Sequence, residues 1–377
     1  MTKRLCLLVT SSVTATTFLK GYLEFLQDDG WEVTLVCSDG PGLDELVSQA
    51  GVKFEPIALR REPSLLHDLS AVVAAVQLFR RIRPDSVVYA TPKASLIGAL
   101  ASRIVGVPRR IYELWGLRLE TAQGLSRVVF SFLEWLTARL STAVIANSKS
   151  LASRAQELGV NGGKEVIVLG AGSSHGVDAE RFSRTAQIPQ LDDALRRQIE
   201  AKGLPVIGFV GRLNPDKGID VLAKAVKKCA DEGVRLQLLI VGEAEGVDIE
   251  SLLGGLDDRV SVHVVGFVLD TRPLLAVMDL LVLPSRREGF PNVVLEAASM
   301  QVPSVVSDAT GCVDSVVHGE TGVIVPTDDA RALAAALTAL VEDPVESDRM
   351  GRAARQRVLE EFAPETVWAA HSARWKQ

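Results

Sequence analysis

Two glutamates in the C-terminal half of the chain stand at a spacing that suits the two ends of one ligand. Glu288 and Glu296 are separated by seven residues, GFPNVVL, and both follow a short apolar run at 280–283. Pro291 fits the first turn of a helix, which we expect to continue over residues 293–298. The N-terminus of that helix would present backbone amides to a diphosphate.

The two carboxylates would then act at opposite ends of that helix terminus. Glu288 precedes the helix and can reach the hydroxyls of a sugar, whereas Glu296 lies about one turn inside it and can accept hydrogen bonds from a ribose diol. Two carboxylates that flank an amide-lined pocket match a nucleotide-sugar from end to end. Glutamates at an arbitrary spacing are more often solvated surface residues, so the pair alone leaves that alternative open.

Two cations lie on a loop earlier in the same half of the chain. The segment GFVGRLNPDKGID, residues 208–220, is typical of a buried strand that ends at Gly211 and is followed by Arg212 and Lys217. Lys217 and Gly218 would open the next helix, so two positive side chains would stand beside a helix N-terminus. This combination predicts an anion site, in which Arg grips a phosphate bidentately and Lys acts as a point charge. Taken alone, the segment is also compatible with surface cations at a loop.

A repeated unit of strand, turn and helix would position these residues. Strands that are apolar throughout and alternate with helices are typical of a parallel sheet covered on both faces. The clearest helix is Leu65–Ile82, which ends before Arg83-Pro84 because a residue that precedes proline disfavours the helical conformation. The predicted strands cover residues 5–9, 33–36, 54–57, 86–89, 110–112, 143–146 and 166–169, then 206–210, 237–241, 260–264, 280–283, 304–306 and 323–325.

The sequence therefore predicts an α/β protein with two Rossmann-like domains in tandem and a cleft between them. The alternation lapses once, over a polar stretch, and we predict an N-terminal domain at 1–185, a linker at 186–203 and a C-terminal domain at 204–362. Residues 363–377 form a short amphipathic tail that we expect to pack back on the N-terminal domain. Ligands of such sheets bind beyond the carboxyl ends of the strands, so the loops of both domains would face the cleft.

The composition is typical of a globular protein, with 47% hydrophobic and 23% charged residues. No apolar run reaches the roughly 18 residues that a membrane span needs. The apolar run near the start, residues 5–9, is shorter than the roughly 7–15 apolar residues of a secretory signal. Both observations predict a cytoplasmic protein. Histidines form no ligand pair, so we expect no metal site. The four cysteines lie far apart and are predicted to be buried free thiols: Cys6, Cys37, Cys229 and Cys312.

Charge is distributed unevenly along the chain. The net charge of −6 argues against a nucleic-acid partner, yet residues 1–190 hold 21 basic and 18 acidic residues. This half also contains the apolar, aromatic stretch 128–136. Two interpretations stay open, a helix buried in the core or a face that contacts an anionic membrane peripherally. The clustered arginines are Arg60, Arg61, Arg80, Arg81, Arg83, Arg109 and Arg110.

One glycine-rich segment imitates a dinucleotide-binding fingerprint. Residues 165–176 read EVIVLGAGSSHG, which places Gly170, Gly172 and Gly176 after a strand. The fingerprint requires a helix that opens at the glycines and an acidic residue at the end of a second strand. The following residues, VDAERFSRTAQIP, offer neither, so we do not expect a nicotinamide enzyme and assign the glycines to a close backbone approach near the cleft.

In order and spacing, the motifs of the second half closely resemble the donor half of family 4 glycosyltransferases of the GT-B fold. The resemblance spans about residues 205–330, and it includes Gly211-Arg212-Leu213, Lys217-Gly218 and the Glu288-x7-Glu296 pair. The segments IYELWGLRLET, IANSKSLASRA and VLGAGSSHGVDAERF of the first half resemble members that extend polyprenyl-diphosphate-linked sugars in surface-polysaccharide or glycan assembly.

The resemblance implies a role for each matched residue. Arg212 and Lys217 would neutralise the donor diphosphate, Glu288 would hold the donor sugar near its 3- and 4-hydroxyls, and these three form the expected catalytic set. Glu296 would contact the ribose. The remaining expected donor-binding residues are Val268, which would hold the base through its backbone, and Gly289, Phe290, Pro291, Asn292 and Val293, which line the diphosphate and sugar.

The first half departs from the family at one position. Relatives carry a histidine in a segment like HGLR, near the anomeric centre of the donor, where this chain has Trp115-Gly116-Leu117-Arg118. A proton-handling role therefore does not carry over to Trp115, and either packing or stacking against the acceptor remains open for its ring. The candidate residues on the acceptor side are Ser12, Trp115, Arg118 and Gly172.

The implied reaction is metal-independent glycosyl transfer with retention of anomeric configuration. It uses no cofactor, takes a nucleotide-sugar, with UDP as the expected nucleotide, as donor and delivers the sugar to a glycan or lipid-linked glycan. No D-x-D pair occurs in the chain. Two alternative hypotheses stay open: a nucleotide-sugar 2-epimerase of the same fold, and a nucleotide-sugar-binding subunit without catalytic activity. A donor-hydrolysis assay would distinguish the non-catalytic subunit from an enzyme.

Overall fold

The computed structural model describes residues 2–59, 64–256 and 259–377, with the side chain of Leu65 excepted. The chain divides into two compact units. Unit 1 consists of the residues up to Gly176 together with Pro364–Gln377, and unit 2 is Val177–Ala363. Each unit is a parallel α/β sheet with helices, so the predicted fold class of two Rossmann-like domains is confirmed.

Unit 1 is built on a sheet of seven parallel strands in the order β3-β2-β1-β4-β5-β6-β7. The central strands of this sheet are mostly buried, which explains why they read as continuous apolar runs. The strands are β1 (Lys3–Leu8), β2 (Trp31–Cys37), β3 (Lys53–Pro56), β4 (Ser86–Ala90), β5 (Arg109–Leu114), β6 (Ala143–Ala146) and β7 (Val166–Val168).

Helices cover both faces of this sheet. They are α1 (Ser12–Phe18), α2 (Tyr22–Asp28), α3 (Leu43–Ala50), α4 (Leu65–Ile82), α5 (Pro92–Val105), α6 (Gly124–Leu140) and α7 (Lys149–Glu157). The first three share one apolar core with the sheet, and α4 to α7 share the other. A 3-10 turn, Arg118–Glu120, lies between β5 and α6.

Unit 2 repeats the plan with six parallel strands in the order β10-β9-β8-β11-β12-β13. The strands are β8 (Val206–Val210), β9 (Leu236–Val241), β10 (Val260–Val265), β11 (Leu280–Leu283), β12 (Ser304–Ser307) and β13 (Gly322–Val325). The helices are α8 (Asp193–Lys202), α9 (Ile219–Asp231), α10 (Ile249–Leu253), α11 (Arg272–Leu275), α12 (Asn292–Ser299), α13 (Cys312–Ser315), α14 (Ala330–Glu342) and α15 (Pro344–Glu361).

The last helix, α16 (Pro364–Trp375), belongs to unit 1. Trp375 is buried there, and its indole N–H donates to Oε1 of Glu113 at 3.0 Å. The ring of Trp368 stacks on Tyr22 with centroids 5.3 Å apart. The end of the chain therefore completes the core of the first sheet.

Each sheet reverses the direction of its strand order once. The reversal falls between β1 and β4 in unit 1 and between β8 and β11 in unit 2. The loops that follow two such strands turn to opposite sides of the sheet and leave a crevice, which is where open parallel sheets bind ligands. In unit 2 the loops are those after Val210 and Leu283, which carry the predicted cations and Glu288.

All thirteen predicted strands are present, with ends that differ by at most two residues, and α4 has the predicted bounds. The transition between the units lies at Gly176, earlier than the predicted domain end at 185, and the predicted linker at 186–203 contains α8. Residues 177–185 join unit 2 because Val177 N–H donates to the Phe362 carbonyl at 3.0 Å and Arg184 donates to that of Met300 at 2.9 Å.

The four cysteines are buried and free, as predicted. Across the described part of the chain, none of the helices combines the length and the apolar character needed to cross a membrane.

Candidate active site

Lys217 and Glu288 meet at the strand-order reversal of unit 2. Lys217 ends a 3-10 turn, Pro215–Lys217, and Gly218 caps α9 with a φ of +66°. A Cβ at Gly218 would lie 2.0 Å from the carbonyl oxygen of Pro284, so this position requires glycine. The close approach brings the loop after β8 against the loop after β11.

The Lys217 ammonium donates to Oε1 of Glu288 in an ion pair whose side chains are 19% and 13% exposed. Ser285, which is buried, donates its hydroxyl to the same oxygen at 2.8 Å. Its own carbonyl accepts from the hydroxyl of Ser307. The Glu288 N–H donates to the Thr310 carbonyl at 2.9 Å. The carboxylate is therefore held both by a cation and by its own loop.

A pair of arginines ties the two loops together, and sequence reasoning missed it. Arg286 N–H donates to the Asp216 carbonyl at 2.7 Å, and its guanidinium pairs with Asp220 at 2.9 Å. Arg287 pairs with the Asp216 carboxylate. Burial opposes ionisation of Asp220, but the hydrogen bond and charge of Arg286 still lower the pKa of that carboxyl. The opposite charges beside Lys217 and before Glu288 were the signal available in the sequence.

Arg212 does not join this pair. Its guanidinium pairs with Oε2 of Glu245 at 2.9 Å, and the two side chains are 60% and 36% exposed. Asn214 donates to the same oxygen at 3.3 Å. The structure thus brings Lys217 and Glu288 together and directs Arg212 to a partner on the loop after β9.

Helix α12 begins directly after the Glu288 loop, at Asn292. Pro291 caps it with φ −81° and ψ 96°, so this proline precedes the helix and does not occupy its first turn as predicted. The chain is fixed here by packing, because Phe290 is buried with its ring 5.4 Å from that of Phe362. Gly289 and Val293 flank this start, and a Cβ at Gly311 would come within 2.3 Å of the Gly289 carbonyl oxygen.

Glu296 lies in the second turn of α12 and faces the loop that follows β10. Its carboxylate accepts a hydrogen bond from the Thr271 hydroxyl at 3.2 Å. Burial raises the pKa of Glu296 to about 7, although that hydrogen bond acts in the opposite direction. Val268 is partly buried on the same loop. The two residues expected to contact the nucleoside therefore belong to neighbouring segments.

In unit 1, Trp115 belongs to an aromatic cluster at the carboxyl ends of the strands. Its ring packs edge-to-face on Phe18 at 5.8 Å, and Phe18 lies 4.8 Å from His175. The indole nitrogen of Trp115 is buried, and the described residues offer it no hydrogen-bond partner. Burial lowers the pKa of His175 to about 4, so its imidazole is neutral at pH 7. Sequence reasoning missed His175, because the glycine-rich segment at 165–176 has no second histidine to suggest a site.

The other acceptor-side candidates lie on separate elements. Ser12 is buried at the start of α1, and a Cβ at Gly40 would fall 2.4 Å from its hydroxyl oxygen. Arg118 is exposed, with its guanidinium 5.2 Å from the centroid of the Phe130 ring. Gly172 is buried with a φ of +107°, a conformation that favours glycine. A dinucleotide-binding fingerprint would need a helix that opens at these glycines. Residues 170–192, all of which the structure describes, contain no helix, so the segment lacks this feature.

Thr91 is a further residue that the sequence did not indicate. It follows β4 at the strand-order reversal of unit 1 and has a φ of +69°, which is strained for a β-branched residue. Its hydroxyl accepts from the Thr10 N–H at 3.2 Å and bonds the Thr10 hydroxyl at 2.6 Å. Strain of this kind concentrates at functional sites and is held by the surrounding contacts.

Comparison with known proteins identifies the family of the chain. A family model described as glycosyl transferases group 1 matches residues 204–343, and one described as a glycosyl transferase 4-like domain matches residues 14–170. The capsular polysaccharide biosynthesis glycosyltransferase CapM of Staphylococcus aureus is 34% identical over 355 residues, which are 93% of this chain and 91% of that protein.

Two further proteins resemble the whole chain. The UDP-Gal:alpha-D-GlcNAc-diphosphoundecaprenol alpha-1,3-galactosyltransferase of Escherichia coli is 25% identical over 346 residues, which are 90% of this chain and 87% of that one. The crystal structure of Anabaena Alr3699/HepE in complex with UDP and glucose superposes with a TM-score of 0.78 at 22% identity over 99% of each chain, which shows a shared fold. The chain is therefore a glycosyltransferase, and it belongs to the family 4 glycosyltransferases of the GT-B fold.

Proposed function

We propose that the chain transfers a sugar from a UDP-sugar to a glycan or polyprenyl-diphosphate-linked sugar, with retention of anomeric configuration, in surface polysaccharide or glycan assembly. The observation that carries the proposal is the Lys217–Glu288 pair at the strand-order reversal of unit 2. A cation and a carboxylate at a crevice that favours ligands can serve a diphosphate and a sugar side by side.

The donor would lie along the segments that carry the four charged residues. Lys217 and Arg212 would compensate the diphosphate, and Glu288 would accept hydrogen bonds from the sugar hydroxyls. Glu296 would accept from the ribose, and the loop of Val268 would hold the base. The names of two similar proteins support UDP, since one is a UDP-Gal transferase and the other was crystallised with UDP.

The proposed chemistry is attack on the same face from which the nucleotide leaves. The acceptor hydroxyl oxygen forms a bond to the anomeric carbon while the bond from that carbon to the diphosphate oxygen breaks. The departing phosphate oxygen accepts the hydroxyl proton, so the protein needs no nucleophile. Lys217 and Arg212 would stabilise the charge that grows on the diphosphate, so catalysis rests on positioning and electrostatics.

This scheme assigns the charge compensation to side chains and requires no metal. Among residues 2–59, 64–256 and 259–377, His, Cys, Asp and Glu side chains form no group of three or more that could hold a metal ion. The proposal therefore predicts turnover in the presence of a chelator.

The acceptor is proposed on the unit 1 side, where Trp115 offers an aromatic surface for a sugar ring. Ser12, Arg118 and Gly172 lie on other loops of the same unit. A polyprenyl-diphosphate acceptor is anchored in a bilayer, so the enzyme would act from the cytoplasm as a peripheral protein at the inner face of the cell membrane.

A screen of nucleotide-sugars tests the proposal directly. The purified chain is incubated with UDP-, GDP-, ADP- and TDP-sugars and a short-chain polyprenyl-diphosphate sugar, and nucleoside diphosphate release is measured. The anomeric configuration of the product is read by NMR. We expect release from a UDP-sugar and an α-linked product from an α-linked donor. A preference for a GDP-sugar would reject UDP as the donor nucleotide, and a β-linked product would reject retention of configuration. The absence of turnover with every donor would reject glycosyl transfer itself.

A further inference from the structure

Three neighbouring helices of unit 1 present large apolar side chains to solvent. Helices α4, α5 and α6 pack on one face of the sheet through residues such as Ala75, Ile97 and Ala138. Their opposite sides carry an apolar face, which we define as Leu66, Leu69, Val73, Ile104, Leu125, Val128, Val129, Phe132 and Trp135. Scattered exposed hydrophobic residues need no explanation, whereas several of them at helical spacing on one side of a helix indicate an interaction surface.

The part on α6 has the spacing of a helix stripe. Its members follow one another at intervals of three residues with one adjacent pair, which places them on one side of the helix. Leu125 is 79% exposed and Phe132 is 55% exposed. The rings of Phe132 and Trp135 stack with centroids 6.0 Å apart. The alternative of a helix buried in the core is therefore wrong for these positions.

The charges on the three helices are mostly positive. Helices α4 to α6 hold six basic residues, Arg80, Arg81, Lys93, Arg103, Arg127 and Arg139, and two acidic ones, Asp68 and Glu134. Lys93 pairs with Asp68 at 2.9 Å. Glu134 is buried and accepts a hydrogen bond from the Tyr112 hydroxyl. Neither carboxylate therefore offsets the exposed arginines Arg103, Arg127 and Arg139.

We propose that the apolar face docks the protein on an anionic lipid bilayer. Exposed aromatic and aliphatic side chains beside arginines are the composition of a surface that inserts shallowly among lipid head groups. A second copy of this chain fits the surface less well, because a two-fold contact sets the same patch against itself and would bring its arginines together. The choice of a bilayer as partner rests on the proposed function, since a polyprenyl-linked acceptor lies in a membrane.

The test is sedimentation of the full chain with liposomes of phosphatidylcholine alone or mixed with phosphatidylglycerol, each at low and high salt. Leu125→Ser/Phe132→Ser removes two exposed members of the apolar face, and Arg127→Glu reverses a neighbouring charge. Val345→Ser/Leu359→Ser is the matched control, because both residues are exposed hydrophobics on α15 of unit 2. Melting curves and donor hydrolysis report whether each variant is folded.

We expect the wild-type chain to bind the anionic liposomes, with less binding at high salt. Binding by the Leu125/Phe132 variant should fall at least tenfold, and Arg127→Glu should weaken binding to anionic liposomes. The α15 control should bind like the wild type.

Equal, negligible binding of wild type under all four conditions would overturn the proposal, and so would undiminished binding by a folded Leu125/Phe132 variant. A wild-type dimer that the same variant converts to a monomer, without liposome binding, would reassign the face to self-association. Lys217→Ala keeps the two proposals apart. It should lose sugar transfer and still bind liposomes, so failure of the reaction would leave the docking result intact.

Discussion

Lys217 and Glu288 form an ion pair across the strand-order reversal of the second sheet, although they lie 71 positions apart in the chain. The hydroxyl of Ser285 donates to the same carboxylate oxygen that accepts from Lys217. The pair is mostly buried, so each charge reduces the cost of burying the other. A diphosphate bound at this place would share the lysine with Glu288, which couples the positions of the phosphate and the sugar.

Replacing Lys217 by alanine should lower the transfer rate at least tenfold. A charge-assisted contact to the diphosphate is worth about 1.5–3 kcal/mol, and its loss falls on the step in which negative charge grows. Steady-state kinetics with the donor that the screen identifies would measure the effect. Lys228→Ala is the matched control, because Lys228 pairs with Glu232 on the surface of α9. Unchanged turnover in a folded Lys217→Ala variant would reject the assignment.

Replacing Glu245 by glutamine should strengthen donor binding. The ion pair of Glu245 with Arg212 is exposed and contributes about 0–1 kcal/mol to stability, so a diphosphate can displace Glu245 from the arginine. Removing the charge of Glu245 leaves Arg212 available to the diphosphate without that competition. We expect KM for the donor to fall severalfold in Glu245→Gln and to rise about tenfold in Arg212→Ala. The double variant should match Arg212→Ala. If Glu245→Gln still lowered KM without Arg212, the pair would not be the cause.

Two glutamates whose pKa values are raised provide a matched test of pH dependence. Burial raises the pKa of both Glu296 and Glu134 from 4.5 to about 7. Between those two pH values the folded chain holds a proton that the unfolded chain has lost, so each group lowers stability as the pH rises through the window. Replacement by glutamine removes this penalty. The melting temperature of each variant should therefore exceed that of the wild type by a margin that grows from pH 5 to pH 8.

The two glutamine variants also distinguish an effect on stability from an effect on donor binding. Ribose hydroxyls donate to an ionised carboxylate more strongly than to an amide, so Glu296→Gln should raise KM for the donor, and KM of the wild type should fall as the pH rises past about 7. Glu134→Gln should leave KM unchanged, because its carboxylate lies in unit 1 and bonds Tyr112. Equal melting-temperature gains at pH 5 and pH 8 would show that the two carboxylates do not titrate in this window.

Sugar transfer should persist in excess EDTA. The charge of the departing diphosphate is assigned to Lys217 and Arg212, so removal of divalent cations should leave the rate within about twofold. The assay compares rates with EDTA alone and after addition of magnesium or manganese, with a water-soluble acceptor so that acceptor presentation does not change. Activity that disappears with the chelator and returns with the metal would contradict the scheme.

The strands were predictable because their burial leaves a pattern in the chain. A strand covered on both faces, such as β9, is apolar at almost every position, and Pro84 restricts the residue that ends α4. Lys217 and Glu288 were found because each follows such a strand. These features depend on residues that are close in sequence, so the amino-acid sequence alone specifies them.

Features that depend on partners distant in sequence were not predictable. Arg212 finds Glu245 because β8 and β9 are paired in register, and no local pattern specifies that contact. The end of unit 1 at Gly176 depends on contacts of the following residues with Phe362 and Met300. Likewise, apolar residues at helical spacing on α6 fit a core or a surface equally well until the inward side is known to be formed by Thr137 and Ala138.

The return of α16 to the first sheet makes unit 2 an insertion within unit 1, not a second half of the polypeptide. Residues 177–363 form one continuous segment, which could be produced as a fragment with its sheet complete. A fragment that stops at Gly176 would lack α16. Tyr22 would then lose the rings of Trp368 and Trp375, and the indole N–H of Trp31 would lose its acceptor, the Ser372 hydroxyl. A peptide of residues 364–377 supplied in trans should therefore restore the stability of that fragment, because α16 provides these contacts to the core of unit 1.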